Sequence, residues 1–389
     1  MDDWLNLHAA RIAASARQDL AALVAVSSPS GDSAAADRVI DLVVDRLPDG
    51  AVIERPACST PHHARDLIAR ISGTGRARIV LVGHVDTVIA HDEHAPLAAD
   101  PGDPDRLVGS GSVDMKGGDV LALGVLHALA ARPDDIAEAT LLLVTDEEWR
   151  LGEFAHGPRF AGYDACLCFE AGELDAAGDD GVVVRRKAAG TIRVTAAGRS
   201  AHSGTSPDDG RNALLALAAT AQAIAACHDP HGPDRVTAVP TVMHCGGAFN
   251  VVPAAGELIC DVRADRLSAF AAVLAAVPAE VGGATLTAQN LRHWPGMDHR
   301  ESMAPILADA GARLGSPITA GSRGGASDAS HFAAVVPLCV DGLGPLGGLA
   351  HAPGEYVLAS SLERRARVAL AVADAVIAAV DAGRGTPAD

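Results

Sequence analysis

Five short stretches, lying between residues 83 and 357, each follow an apolar strand-like run and each carry a side chain able to hold a hard or borderline metal ion. They are GHVDTV with His84 and Asp86, GSGSVDMKGG with Asp114, TDEEW with Glu147 and Glu148, CFEAGE with Glu170, and GGLAHAPGEYV with His351. Two imidazoles and several carboxylates exceed the four ligands that one zinc ion takes, so the set suits a pair of divalent cations. Groups this far apart in sequence must be gathered by the fold. An open α/β sheet does so, because its ligands collect in the crevice beyond the carboxyl ends of its strands. The chain reads as a two-metal hydrolase.

The expected strands support that fold class. The runs Arg78–Val82, Ala139–Val144 and Ala165–Phe169 are apolar, alternate with helix-like segments, and lead directly to His84, Glu147–Glu148 and Glu170. This is the βαβ pattern of a mainly parallel sheet covered by helices. Near Arg186 the texture changes. The order becomes strand Gly190–Ala196, helix Ala213–Cys227, strands Thr237–Cys245 and Gly256–Val262, helix Ser268–Ala276 and strand Ala284–Ala288. A β-α-β-β-α-β string has the order of a ferredoxin-like α+β sandwich. It reads as an insertion at residues 187–296, splitting a catalytic domain into residues 1–186 and 297–389, the latter with helices Ala304–Arg313 and Ser360–Ala382. A chain of 389 residues is long enough for two cores.

Charge and cysteine content exclude other classes. Acidic residues outnumber basic ones, 49 to 31, which disfavours nucleic acid as a partner. The acidic start of the chain lacks the form of a secretory signal, and no apolar run is long enough for a membrane span, so a cytoplasmic protein is expected. Seven cysteines form no C-x-x-C pair, and Cys166 and Cys168 alternate along a strand as buried small hydrophobes would. His62, His63, His91 and His94 lie in polar loops without a carboxylate pattern and are read as loop histidines.

The motifs in this order, GHVDTV, G-x-G-x-x-D-M-K-G-G, the Glu-Glu pair, the later Glu and the His before P-x-E-Y, resemble the M20 metallopeptidases over about residues 30–375. That family includes glutamate carboxypeptidases, aminoacylases, desuccinylases and dipeptidases. The resemblance implies two metal ions, most readily zinc with cobalt or manganese as substitutes, bridged by Asp114. It implies His84 and Glu170 on one ion and Glu148 and His351 on the other. It makes Glu147 the general base for amide hydrolysis by metal-bound hydroxide. Asp86, two residues beyond His84 on the same face, is expected to hydrogen-bond the free imidazole nitrogen, fixing its tautomer. Taken alone, Asp114 serves equally well as the cap of a helix beginning at Lys116.

In the inserted segment, GRSAHSGTSPDDGRNA resembles the family's lid motif and makes His202 an oxyanion donor, supplied by the partner subunit in several relatives. Asn250 and Arg263 match substrate-side positions, and Ser327 lies in a Gly-rich run, SRGGASDASHF, that resembles a substrate loop. The expected substrate is a small peptide or N-acyl amino acid, and the expected assembly a homodimer through the lid. One departure stands out. Relatives that cleave C-terminal glutamate place an Arg before the Pro that follows the lid, whereas this chain has Trp294 before Pro295. Arg292 or Arg300 then replaces that clamp, or an aromatic or apolar acyl group stacks on Trp294. Deacylation of a specialised metabolite and metal-dependent binding without turnover are the competing functions.

Overall fold

A computed structural model describes residues 3–150 and 152–383. Its central sheet has six strands in the order Val52–Glu54, Leu67–Ser72, Ile136–Val144, Ala77–His84, Ala165–Cys168 and Leu338–Val340. The last four run parallel, and the first two add an antiparallel edge. The parallel strands are continuous apolar runs because both faces are covered. Ile79, Leu81, Leu141, Leu143 and Leu167 face a core shared with helices Asp3–Val24, Gly117–Ala130 and Ser361–Asp381. The alternate residues Val80, Val82, Leu142, Cys166 and Cys168 face a second core with Phe160 and Phe332. All seven cysteines are free, and Cys166 and Cys168 are buried as the alternation predicts.

A second, five-stranded antiparallel sheet has the order Thr237–Cys245, Ala255–Ala264, Ala188–Ala197, Ala284–Asn290 and Glu280–Val281. Ile192, Val194, Leu258, Cys260, Val262 and Leu286 point to one face and pack with Leu217 and Ile224 of helix Ala213–Ala225 and with Phe270 and Val273. This cluster is separate from the two around the central sheet. Asn212 caps the helix by accepting from the Leu215 amide at 3.1 Å.

Two short sheets complete the fold, the first of them where the chain enters and leaves the second unit. Asp180–Arg186 pairs in parallel with Ile318–Arg323 and antiparallel with Met297–Asp298, and Arg106–Val108 lies between Ala98–Ala99 and Tyr356–Leu358. The expected helix at Ala304 begins earlier, at Arg300, and runs to Leu314 with Pro305 inside it. Pro305 has no N–H to donate, so the helix forgoes one backbone bond at its second turn and continues past it. Among the described residues no helix is long and apolar enough to cross a membrane.

Candidate metal centre

The strand register assembles the centre. Val144 lies opposite His84 and Cys168 opposite Val82, so His84, the Glu147–Glu148 pair and Glu170 emerge at the same end of neighbouring parallel strands. Gly118 lets helix Gly117–Ala130 press on the strand end that leads to Glu170. A Cβ there would stand 1.9 Å from the Phe169 carbonyl oxygen. Asp114 lies in an irregular turn, Ser112–Lys116, with non-helical dihedrals of −124° and 92°. The helix after it starts at Gly117 without a side-chain cap, so the capping role falls away.

Asp114 divides its two oxygens. Oδ1 is 3.1 Å from His84 Nε2, and Oδ2 is 3.0 Å from His351 Nε2. His84 Nε2 is also 3.8 Å from Glu170, and His351 Nε2 is 3.1 Å from Glu148. His84, Asp114 and Glu148 each offer a ligand atom within 4.8 Å of the other two. Ligands at about 2.0–2.2 Å from a tetrahedral zinc lie roughly 3.3 Å apart, close to the 3.1 and 3.0 Å that separate Asp114 from His84 and His351, so these donors are near enough to hold divalent cations. His84 is buried, and its Nδ1 lies 3.0 Å from the Asp86 carbonyl oxygen, which can only accept. Nδ1 therefore carries the hydrogen, and Nε2 is turned towards the carboxylates.

The charges show the same need. Burial pushes the Glu170 carboxyl up to about 8, aided by the charge of Asp114, and raises Glu148 against its hydrogen bond from His351. Burial also lifts Glu147 well above the usual carboxylate range, against the pull of His84. His351 is raised to about 10 by its bonds to Asp114 and Glu148. The cluster is short of positive charge, and divalent cations are the chemistry that its oxygen and nitrogen donors suit.

Asp86 touches both His84 and the turn that carries the Glu-Glu pair. Its carboxylate is 3.5 Å from His84 Nδ1, while its Oδ1 accepts from the Glu147 amide at 3.1 Å and its Oδ2 from the Glu148 amide at 3.2 Å. Ser30 donates to the same carboxylate. Asp86 thus fixes the Glu-Glu turn, and its backbone holds the imidazole. Glu355 does similar work for the Asp114 turn, accepting from the amides of Gly111 and Val113 at 2.8 Å each and of Asp114 at 3.0 Å. Sequence reading passed over Glu355. The clue was an acid between Gly354 and Tyr356 that is 3% exposed once folded.

Asp114, Glu147, Glu148, Glu170 and His351 line one cavity of about 440 Å³, together with Arg186, Arg263, Arg292 and Arg323. Arg263 is therefore at the site. His202 and Asn250 are exposed and do not line it. Ser327 is buried and donates to Asp341 at 2.5 Å, so its hydroxyl is engaged inside the protein. Trp294 is fully buried, with Nε1 donating to the Arg150 carbonyl oxygen at 3.1 Å, and offers no surface for an acyl group. Arg300 pairs with Asp298 at 2.7 Å and is not among the lining residues.

A mainly parallel sheet whose strand ends and neighbouring turns bring His351 and four carboxylates to one cavity, with His84 buried against Asp114, defines a metallohydrolase type of site. The chain belongs to peptidase family M20/M25/M40, whose model matches residues 80–375. It is 26% identical to carboxypeptidase G2 of Pseudomonas sp. (strain RS-16) over 267 residues, which span 65% of this chain and 60% of that protein. It is 27% identical over 323 residues to succinyl-diaminopimelate desuccinylase of Halorhodospira halophila, covering 75% of this chain and 81% of that one. The fold is shared with aminopeptidase PepT of Bacillus cereus, with a TM-score of 0.75 and 18% identity over 94% of this chain and 98% of that one.

Proposed function

We propose that the protein is a di-zinc hydrolase that cleaves the amide bond of a peptide or N-acyl amino acid. The observation that carries this reading is the division of Asp114 between His84 and His351, beside a carboxylate, Glu147, in the same cavity. His84, Asp114 and Glu170 would hold one ion, and Asp114, Glu148 and His351 the other. When bound, the ions would supply positive charge that acidifies water and stabilises a developing oxyanion. Glu147 takes the proton from the attacking water and returns it to the departing nitrogen. The amides of both Glu147 and Glu148 are tied to Asp86, which fixes the turn from which the two carboxylates project.

Residues 187–296 form the inserted lid in this reading, and a second copy of the chain covers it. Support comes from apolar residues left bare on its edge strand and helix start: Val239, Val242, Leu214, Leu215 and a fully exposed Phe249. His202 Nδ1 accepts from the Gly204 and Thr205 amides, both at 3.1 Å, so Nε2 carries the hydrogen and, among the described residues, has no acceptor. In a dimer that donor and Asn250 would serve the partner's cavity, with His202 bonding the substrate oxygen as it gains charge.

Glu147→Gln tests the chemistry. It is expected to retain both metal ions and to lose about 10³-fold or more in kcat on N-acyl amino acids, since only the proton carrier is removed. A metal-replete variant with near-normal turnover would overturn the base assignment.

A further inference from the structure

The cavity holds four arginines, and three have a carboxylate of their own. Arg186 pairs with Asp341 at 2.6 Å, Arg323 with Glu173 at 3.0 Å and Arg263 with Asp261 at 3.0 Å. Arg292 has none: among the described residues it forms no ion pair, and its Nε is shut off from solvent without a hydrogen-bond partner. A guanidinium taken out of water without a counter-ion is costly, so an anion is the missing partner. Burial holds its pKa below the usual arginine value, against the attraction of Glu147.

The side chain is nonetheless fixed. Its guanidinium carbon lies 4.3 Å from the centroid of the Trp294 ring. Trp294 is itself pinned by its backbone pairing with Ala189, by its bond to Arg150 and by the His331 ring at 4.8 Å. Stacking occupies the guanidinium's face and leaves its in-plane N–H groups for a planar acceptor. A group so held, in a cavity that also contains Glu147, is set to take a carboxylate in a bidentate grip.

We propose that Arg292, seated on Trp294, is the specificity-determining residue that binds a free carboxylate of the substrate. This rests on the hydrolase reading above and assigns to one side chain the choice of acidic over neutral amides.

The test compares the zinc-loaded full chain with Arg292→Gln and Arg292→Lys on an N-acetyl amino acid and its C-terminal primary amide. The wild-type chain is expected to favour the acid by about 10- to 100-fold in kcat/KM. Arg292→Gln is expected to abolish that preference by lowering kcat/KM for the acid far more than for the amide, and Arg292→Lys to keep part of it. Equal losses on both substrates, or an unchanged preference, would overturn the proposal. Calorimetry with the same N-acetyl amino acid on zinc-loaded Glu147→Gln, with and without Arg292→Gln, separates the two readings. If the wild-type chain turns over neither substrate, the hydrolase reading fails. Binding weakened about 10- to 100-fold by Arg292→Gln still supports the carboxylate seat, and binding unaffected by it overturns the seat.

Discussion

The strand-end cluster and the His202–Asn250 loop both carry motif residues, yet the fold treats them differently. Around Asp114 the side chains are packed, hydrogen-bonded and turned to one cavity, with Asp86 and Glu355 holding the turns from behind. Around His202 the residues are exposed, beside Phe249 at 101% and Val251 at 40% exposure. The first region is finished within one chain. In the second, His202 Nε2 has no acceptor among the described residues. Motif residues therefore need not meet within one chain: the strand-end set shares a cavity, and His202 and Asn250 do not line it.

His202→Ala has the largest expected effect on that contrast: a loss of roughly 10²–10³ in kcat, typical of an oxyanion donor, with metal content unchanged. Mixed with Glu147→Gln and allowed to exchange subunits, the two inactive chains should recover about a quarter of wild-type activity, because one site of each mixed dimer is intact. Failure of the mixture, with each chain dimeric, would place His202 in its own chain's site. Glu355→Gln should be milder. It weakens the grip on the Asp114 turn, lowering zinc affinity by about 10-fold as read by chelator competition, since residues supporting a ligand typically count for that much. Unaltered zinc affinity would remove Glu355 from the account.

The smallest effect concerns stability. Burial lowers His331 to about 4, and its Nε2 is buried without a partner while its ring stacks on Phe154 at 4.9 Å. A histidine whose folded pKa lies below its ordinary value near 6.5 costs stability as pH falls through that interval, because the unfolded chain takes the proton first. His331→Phe keeps a ring in place and should be about 1–3 kcal/mol more stable than wild type, relative to their difference at pH 8, by pH 4.5 in urea unfolding. A pH-independent difference would show that His331 does not titrate in this way.

Much of the architecture was legible because it is written in local patterns. The runs at Ile79–Val82 and Leu141–Val144 are apolar on both faces, and the second sheet's strands alternate. The metal-centre residues could be chosen because each follows such a run. What supports them could not, since the partners are remote: Glu355 holds a turn 244 residues away at Gly111, and Asp86 reaches amides about 60 residues further on. Asp86 was matched to His84 by proximity in sequence, but its bonds to the Glu147 and Glu148 amides were not legible there. Of the two readings of Trp294, a stacking surface for an acyl group falls away, because its face is used by Arg292 and its nitrogen by the Arg150 carbonyl. Interior competition for a side chain is invisible until the fold is known.

The central claim is that one chain builds a paired metal site. The direct measurement is zinc titration of the chelator-stripped protein, reading bound zinc per chain alongside hydrolysis of a panel of N-acyl amino acids and dipeptides. The account predicts about two zinc ions per chain, with cleavage lost on stripping and restored as the sites fill. Full activity without zinc or another divalent metal, or failure to bind any of them, would contradict it.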